Sequence, residues 1–191
     1  SQAMERTGLH RRIALVILSH LHGSPIQLLT GFALTTAFLS MWISNTATTM
    51  LMATIGLAVI SRLESDLGRA QVAALAVPLL LLIAYSANIG GMGTPVGNVP
   101  NLVLLENMPA AAPELRPSFL QWMMVGVPVV IVGVSLLLWL FGRKVRGMSW
   151  SGAAAGSLEA ERQELGRMRR EERFVAWVLG LTALAWITRQ G

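Results

Sequence analysis

The chain has 191 residues, 53% of them hydrophobic and only 13% charged, a mean hydropathy of +0.57 and a formal net charge of +5. This is a membrane-protein composition with little room for a soluble domain, because the charges are confined to gaps between long neutral runs. Zero cysteines exclude disulfides, thiolate metal sites and cysteine catalysis, and basic residues lying beside apolar runs, with no base-stacking pattern, argue against a nucleic-acid partner.

Ser1 to Gly8 lacks the basic, apolar and small-residue pattern of a signal peptide. The start at SQAMERTGLHRR, without an initiator Met, and the stop just past an apolar run predict an internal piece of a longer protein. Within residues 1–23, Arg6, Arg11 and Arg12 alternate with Leu9, Ile13, Leu15, Val16 and Leu18, which predicts a cytoplasmic interfacial helix with its arginines toward headgroups.

Residues 24–60 form a 37-residue segment without a charged side chain. Ser24-Pro25 offers an N-cap serine and a first-turn proline. The stretch Ser40 to Thr49, SMWISNTATT, interrupts this segment with hydroxyl and amide groups, which lipid cannot satisfy. The arms Pro25–Ile43 and Thr46–Ile60 contain 19 and 15 residues. They would reach roughly 28 and 22 Å, against a hydrocarbon core of ~30 Å. A re-entrant hairpin with its tip at Ser44 to Thr49 follows, with two full spans as the alternative.

Residues 71–105 repeat the design: an apolar arm is followed by SANIGGMGTPVGNVPN, Ser86 to Asn101, whose four glycines and two prolines predict a discontinuous helix. Residues 117–142 read as a transmembrane helix tolerating Pro128, and residues 143–173 as a basic amphipathic linker with Glu164–Arg167 and Arg167–Glu171 as candidate pairs. Residues 174–191 begin a further span. Three Lys or Arg lie in residues 1–23, two in 61–70, eight in 143–173 and one, Arg116, in 106–117. An even number of crossings in the first segment, or none, places thirteen of the fifteen basic residues on the cytoplasmic side.

No catalytic constellation is visible. His20 and His22 have the wrong spacing for two ligands on one helix face, and Gly91 to Gly97 fails G-x-G-x-x-G, follows no strand and lacks a P-loop lysine. What stands out is a pair of helix breaks in neutral segments. A helix ending at membrane depth exposes carbonyls to a cation, and one starting there presents N–H groups and a positive dipole end to an anion. Ser40 and Ser44, taken as one turn apart on the first arm, supply hydroxyls for a small hard cation. Asn45 and Thr46 supply donors for an anion. With no Arg or Lys in these runs, a co-bound cation must help neutralise the anion, which is the physical content of symport.

MWISNTATTMLM and IGGMGTPVGNVPNLVL, preceded by AMERTGLHRRIAL and SPIQLLTGFALTTAFLS, resemble the first-repeat signatures of the divalent anion/sodium symporters, carriers of dicarboxylates, citrate or sulfate. The resemblance extends over most of Ala3 to Leu105 and more loosely to the end. It implies an all-α membrane protein, the first half of an inverted-repeat ion transporter fold that works as a homodimer by elevator-like movement in the inner membrane. It implies a sodium site from Ser40, Ser44, Asn45 and the backbone around Gly97, and substrate contacts from Asn45, Thr46 and Asn98. Where the family usually has Ser or Thr followed by Pro, this chain has Asn98 and Val99.

The expected function is therefore part of a sodium-coupled symporter for divalent anions, foremost C4-dicarboxylates. A second Ser-Asn-Thr hairpin does not follow in these residues, so the piece is expected to be inactive alone. The competing readings are an arsenite, citrate or sulfate carrier of the wider superfamily, and a membrane assembly module without transport. An enzyme is not expected.

Overall fold

The computed structural model describes residues 7–18, 24–108, 117–147, 166 and 168–188, and all secondary structure among them is helical. α1 is Leu9–Leu18 and α2 is Pro25–Ser40. Ser24 caps α2 by accepting from the Gln27 N–H at 3.3 Å, with Pro25 in the first turn. α3, Asn45–Leu67, is capped by Ser44, whose hydroxyl accepts from the Ala47 N–H.

The two arms differ from their expected lengths. α2 stops at Ser40 and is the shorter, at 16 residues, or ~24 Å, while α3 has 23 residues, or ~35 Å. α3 passes Ile60 because Arg62, Leu63 and Glu64 are good helix formers and Arg62 pairs with Asp66 four residues on, at 3.8 Å, at an exposed end. Gly68, at φ +86°, ends the helix.

α4, Arg69–Gly90, accommodates Pro78 and continues through Ser86 to Gly90, so the break is narrower than the glycine and proline content implies. It consists of a 3₁₀ turn, Gly91–Gly93, and an irregular stretch to Asn98, followed by α5, Val99–Asn107. α6, Phe119–Val145, starts from a full capping box between Ser118 and Gln121 and contains Pro128. α7 is Arg170–Thr188 and gains a turn of charged residues ahead of Phe174. The pairs expected at Glu164–Arg167 and Arg167–Glu171 lie outside the described residues.

α4 is central and packs on α2, α3 and α6. α2, α3 and α4 meet at Gly56, where an added Cβ would lie 3.1 Å from Ile83 and 3.6 Å from Phe32. The buried set Leu28, Phe32, Met52, Val59, Leu75 and Leu79 forms the core between these helices. By length and composition, Asn45–Leu67, Val72–Gly93 and Phe119–Val145 can each cross a membrane. The outer face of α6 exposes Val125, Val129, Val132, Leu136 and Leu140, a surface suited to lipid or protein rather than water.

On α1, Arg12 has protein partners: its Nε donates to Glu172 Oε2 at 2.9 Å and its Nη1 to the Gly166 carbonyl at 2.9 Å. The two side chains are only 16% and 7% exposed. The same Glu172 oxygen accepts the Arg169 N–H at 3.0 Å, so one carboxylate both caps the start of α7 and ties it to α1. At the other end of α7, Trp186 packs on Phe119, with ring centroids 5.3 Å apart, and Phe119 stacks on Trp42 beyond α2.

A buried ion pair is costly to break by halves, because the remaining charge is left without its partner. Arg12→Leu is expected to lower stability by about 3 kcal/mol, read by thermal unfolding in detergent. The double variant Arg12→Leu/Glu172→Leu recovers most of that loss; additive losses in the double variant would contradict this account.

Candidate functional site

The turn between α2 and α3 and the break after α4 come together at one place. Ser40, the last residue of α2, is fully buried. Its Oγ lies 2.7 Å from Asn45 Oδ1 and 2.7 Å from the Ala87 carbonyl oxygen. A hydroxyl carries one proton and can donate to one of these acceptors at a time. Three oxygens therefore converge with one proton among them, a donor arrangement of the kind that suits a hard cation. The Ser40 carbonyl also receives no backbone N–H in this turn, where the Ala37, Phe38 and Leu39 carbonyls do.

The close approach depends on absent side chains. A Cβ on Gly91 would sit 2.4 Å from Asn45 Oδ1, and one on Gly97 would sit 2.6 Å from the Gly91 carbonyl oxygen and 2.9 Å from that of Ser40. No residue but glycine fits either place without moving backbone or the Asn45 amide.

Of the residues singled out from the sequence, Ser40, Asn45 and Gly97 thus converge. Ser44 does not share a helix face with Ser40, because α2 ends before it; it is exposed and its hydroxyl caps α3. Thr46 is exposed in the first turn of α3. Asn98 is half-buried at the start of α5, in extended backbone, and its side chain makes no capping bond. Asn45 and Asn98 accordingly mark two helix N-termini.

Three further polar residues, which no sequence motif singles out, hold the site together. Thr94 donates its hydroxyl to the Met41 carbonyl at 2.5 Å and accepts the Gly97 N–H at 3.0 Å, tying the break to the hairpin turn. Asn101 Nδ2 donates to the Gly91 and Thr94 carbonyls, both at 2.9 Å, which satisfies backbone that the break has freed. Asn88 Oδ1 accepts from Asn45 Nδ2 at 3.2 Å. Their signal was chemical type alone, amides and a hydroxyl inside an uncharged run. Which carbonyls they reach depends on how the loop closes.

The site carries no formal charge. Among the described residues no group of three His, Asp or Glu side chains is placed to hold a metal. The oxygens present are hydroxyl, amide and backbone carbonyl, the donor set of an alkali or alkaline-earth cation rather than of zinc, copper or iron.

Comparison with known proteins agrees with this chemistry. The citrate transporter family matches residues 1–190. The sodium-dependent dicarboxylate transporter SdcS of Staphylococcus aureus strain USA300 is 36% identical over 195 residues, covering 98% of this chain and 37% of its own length. SdcS of strain NCTC 8325 / PS 47 is 37% identical over 196 residues, with the same shares covered. The chain thus spans a little over a third of the length of the curated relatives it matches. With the family match extending over nearly all of its residues and three helices among the described residues fit to cross a membrane, the chain is a membrane protein belonging to the citrate transporter family, a family of transporters and not of enzymes.

Proposed function

We propose that the chain supplies one repeat of a sodium-coupled symporter for divalent anions, with C4-dicarboxylates as the preferred substrates. The observation that carries this reading is the buried convergence of Ser40 Oγ, Asn45 Oδ1 and the Ala87 carbonyl beside Gly97, in surroundings without a charged side chain. Sodium is bound there through these oxygens. The similarity to sodium-dependent dicarboxylate transporters supports both the ion and the substrate class. Citrate is the second substrate reading, favoured by the description of the matching family.

The anion sits beside the sodium ion, against the N-termini of α3 and α5, and takes hydrogen bonds from Asn45, Thr46 and Asn98. Each N-terminus offers unpaired N–H groups and the equivalent of about half a positive charge. Ser44 acts through the α3 cap, holding the turn that presents Asn45.

The hairpin is re-entrant. Supporting this, α2 has 16 residues and the uncharged part of α3, Asn45 to Ser61, has 17, reaching ~24 and ~26 Å, less than the hydrocarbon core. With that geometry the basic segments lie on the cytoplasmic face of the inner membrane. The complete transporter carries a second, inverted repeat and functions as a homodimer in the lipid bilayer, and this chain alone does not transport.

Two measurements on the complete transporter test the reading. Asn45→Ala is expected to abolish sodium-dependent dicarboxylate binding in detergent, since it removes a ligand oxygen and an anion donor together; unchanged binding would favour a non-transporting assembly module. Gly91→Ala is expected to raise the sodium concentration at half-maximal uptake by about tenfold or more, the ~1.4 kcal/mol equivalent of one displaced ligand. An unaltered sodium dependence in that variant would mean that Asn45 Oδ1 does not face the ion.

A further inference from the structure

The Asn45 side chain is an amide with two unlike ends, and a half-turn about its last torsion would exchange them. In one orientation an oxygen faces Ser40 and the cation; in the other an N–H₂ group does, and the cation is repelled. Something must choose between them. Ser40 is a weak candidate, because its single proton has a second acceptor, the Ala87 carbonyl, at the same distance of 2.7 Å. Once Ser40 turns a lone pair to a cation, its proton is free to go to Ala87, and its hold on Asn45 is lost.

The other end of the amide has a fixed partner. Asn45 Nδ2 donates to Asn88 Oδ1 at 3.2 Å. Asn88 and Gly91 stand three residues apart at the end of α4, and both meet Asn45: Gly91 makes room for Oδ1, and Asn88 holds Nδ2. The end of the broken helix thus reads both ends of one hairpin amide. Asn88 is exposed while Ser40 is fully buried, so the polar series Asn88, Asn45, Ser40 runs from the accessible side of the site inward.

We propose that Asn88 is a positioning residue for sodium: it fixes the Asn45 amide with its oxygen toward the ion, and it makes ion affinity depend on the contact between α3 and α4. The inference rests on the sodium-site reading above and adds to it a residue that does not itself touch the ion. What Asn88 must supply is an acceptor at this position, not an amide as such.

The experiment is sodium activation of succinate uptake by the complete transporter in proteoliposomes, with the succinate KM measured separately at saturating sodium. Asn88→Leu, similar in shape but without an acceptor, is expected to raise the sodium half-saturation about tenfold, the loss of one hydrogen bond, and to leave the succinate KM at saturating sodium within about twofold. Asn88→Asp, an acceptor-only isostere, is expected to hold the half-saturation at or below the wild-type value. Wild-type sodium dependence in Asn88→Leu, or an equal rise in both variants, would overturn the inference and leave the sodium-site reading standing. Uptake by the wild type that does not depend on sodium would overturn that reading and this inference with it.

Discussion

Everything at this site follows from the cost of leaving backbone polar groups unpaired in apolar surroundings. A helix that ends at Ser40 and another that ends at Gly90 release carbonyls that no lipid can satisfy. Thr94 and Asn101 repair part of the deficit by bonding to Met41, Gly91 and Thr94 itself. The remainder is concentrated on Ser40, Asn45 and Ala87, where oxygens outnumber protons. The breaks are tolerated because they lie against one another, each supplying groups that the other lacks.

That mutual arrangement needs α2, α3 and α4 to approach closely, and α4 is placed to receive both hairpin arms. Gly56 lets Phe32 and Ile83 meet across α3, and the glycines after α4 let the hairpin turn descend onto the break. The α1 and α7 helices are further from this chemistry. The Arg12–Glu172 pair joins them to each other, and the Trp186, Phe119 and Trp42 rings run from α7 to the hairpin turn, so the polar site is braced from outside the three-helix core.

The elements were legible where a single residue type decides them. Ser24-Pro25 starts a helix, four glycines and two prolines interrupt one, and 37 uncharged residues mark a membrane segment. Helix ends were less legible. The first charges after Ile60 do not end α3: Arg62, Leu63 and Glu64 are good helix formers, and Asp66 pairs with Arg62, until Gly68 stops the helix. Gly90 belongs to α4 and not to the break, since a glycine at the last helical position costs little and packs on Ala37. The misreading of Ser40 and Ser44 as neighbours on one face has the same origin, since four residues make one turn only while the helix lasts. Asn88 and Arg12 were opaque for another reason: their partners lie 43 and 160 residues away, and no local pattern specifies such pairs.

The neutrality of the site bears on how the proposed symport is enforced. Two helix N-termini offer about one positive charge between them by the usual equivalence, against two negative charges on a dicarboxylate. Without an added cation, a net negative charge of order one would be held within an apolar scaffold, which is strongly unfavourable. A fixed arginine would cure this but would hold the anion in every state, with or without the driving ion. A mobile sodium ion cures it only while bound. In the proposed symport, the absence of Arg and Lys from residues 24–60 and 71–105 is thus the feature that would make anion affinity conditional on the ion. Orientation of the Asn45 amide matters to the same proposed balance, because its oxygen end would admit the cation whose charge the anion requires.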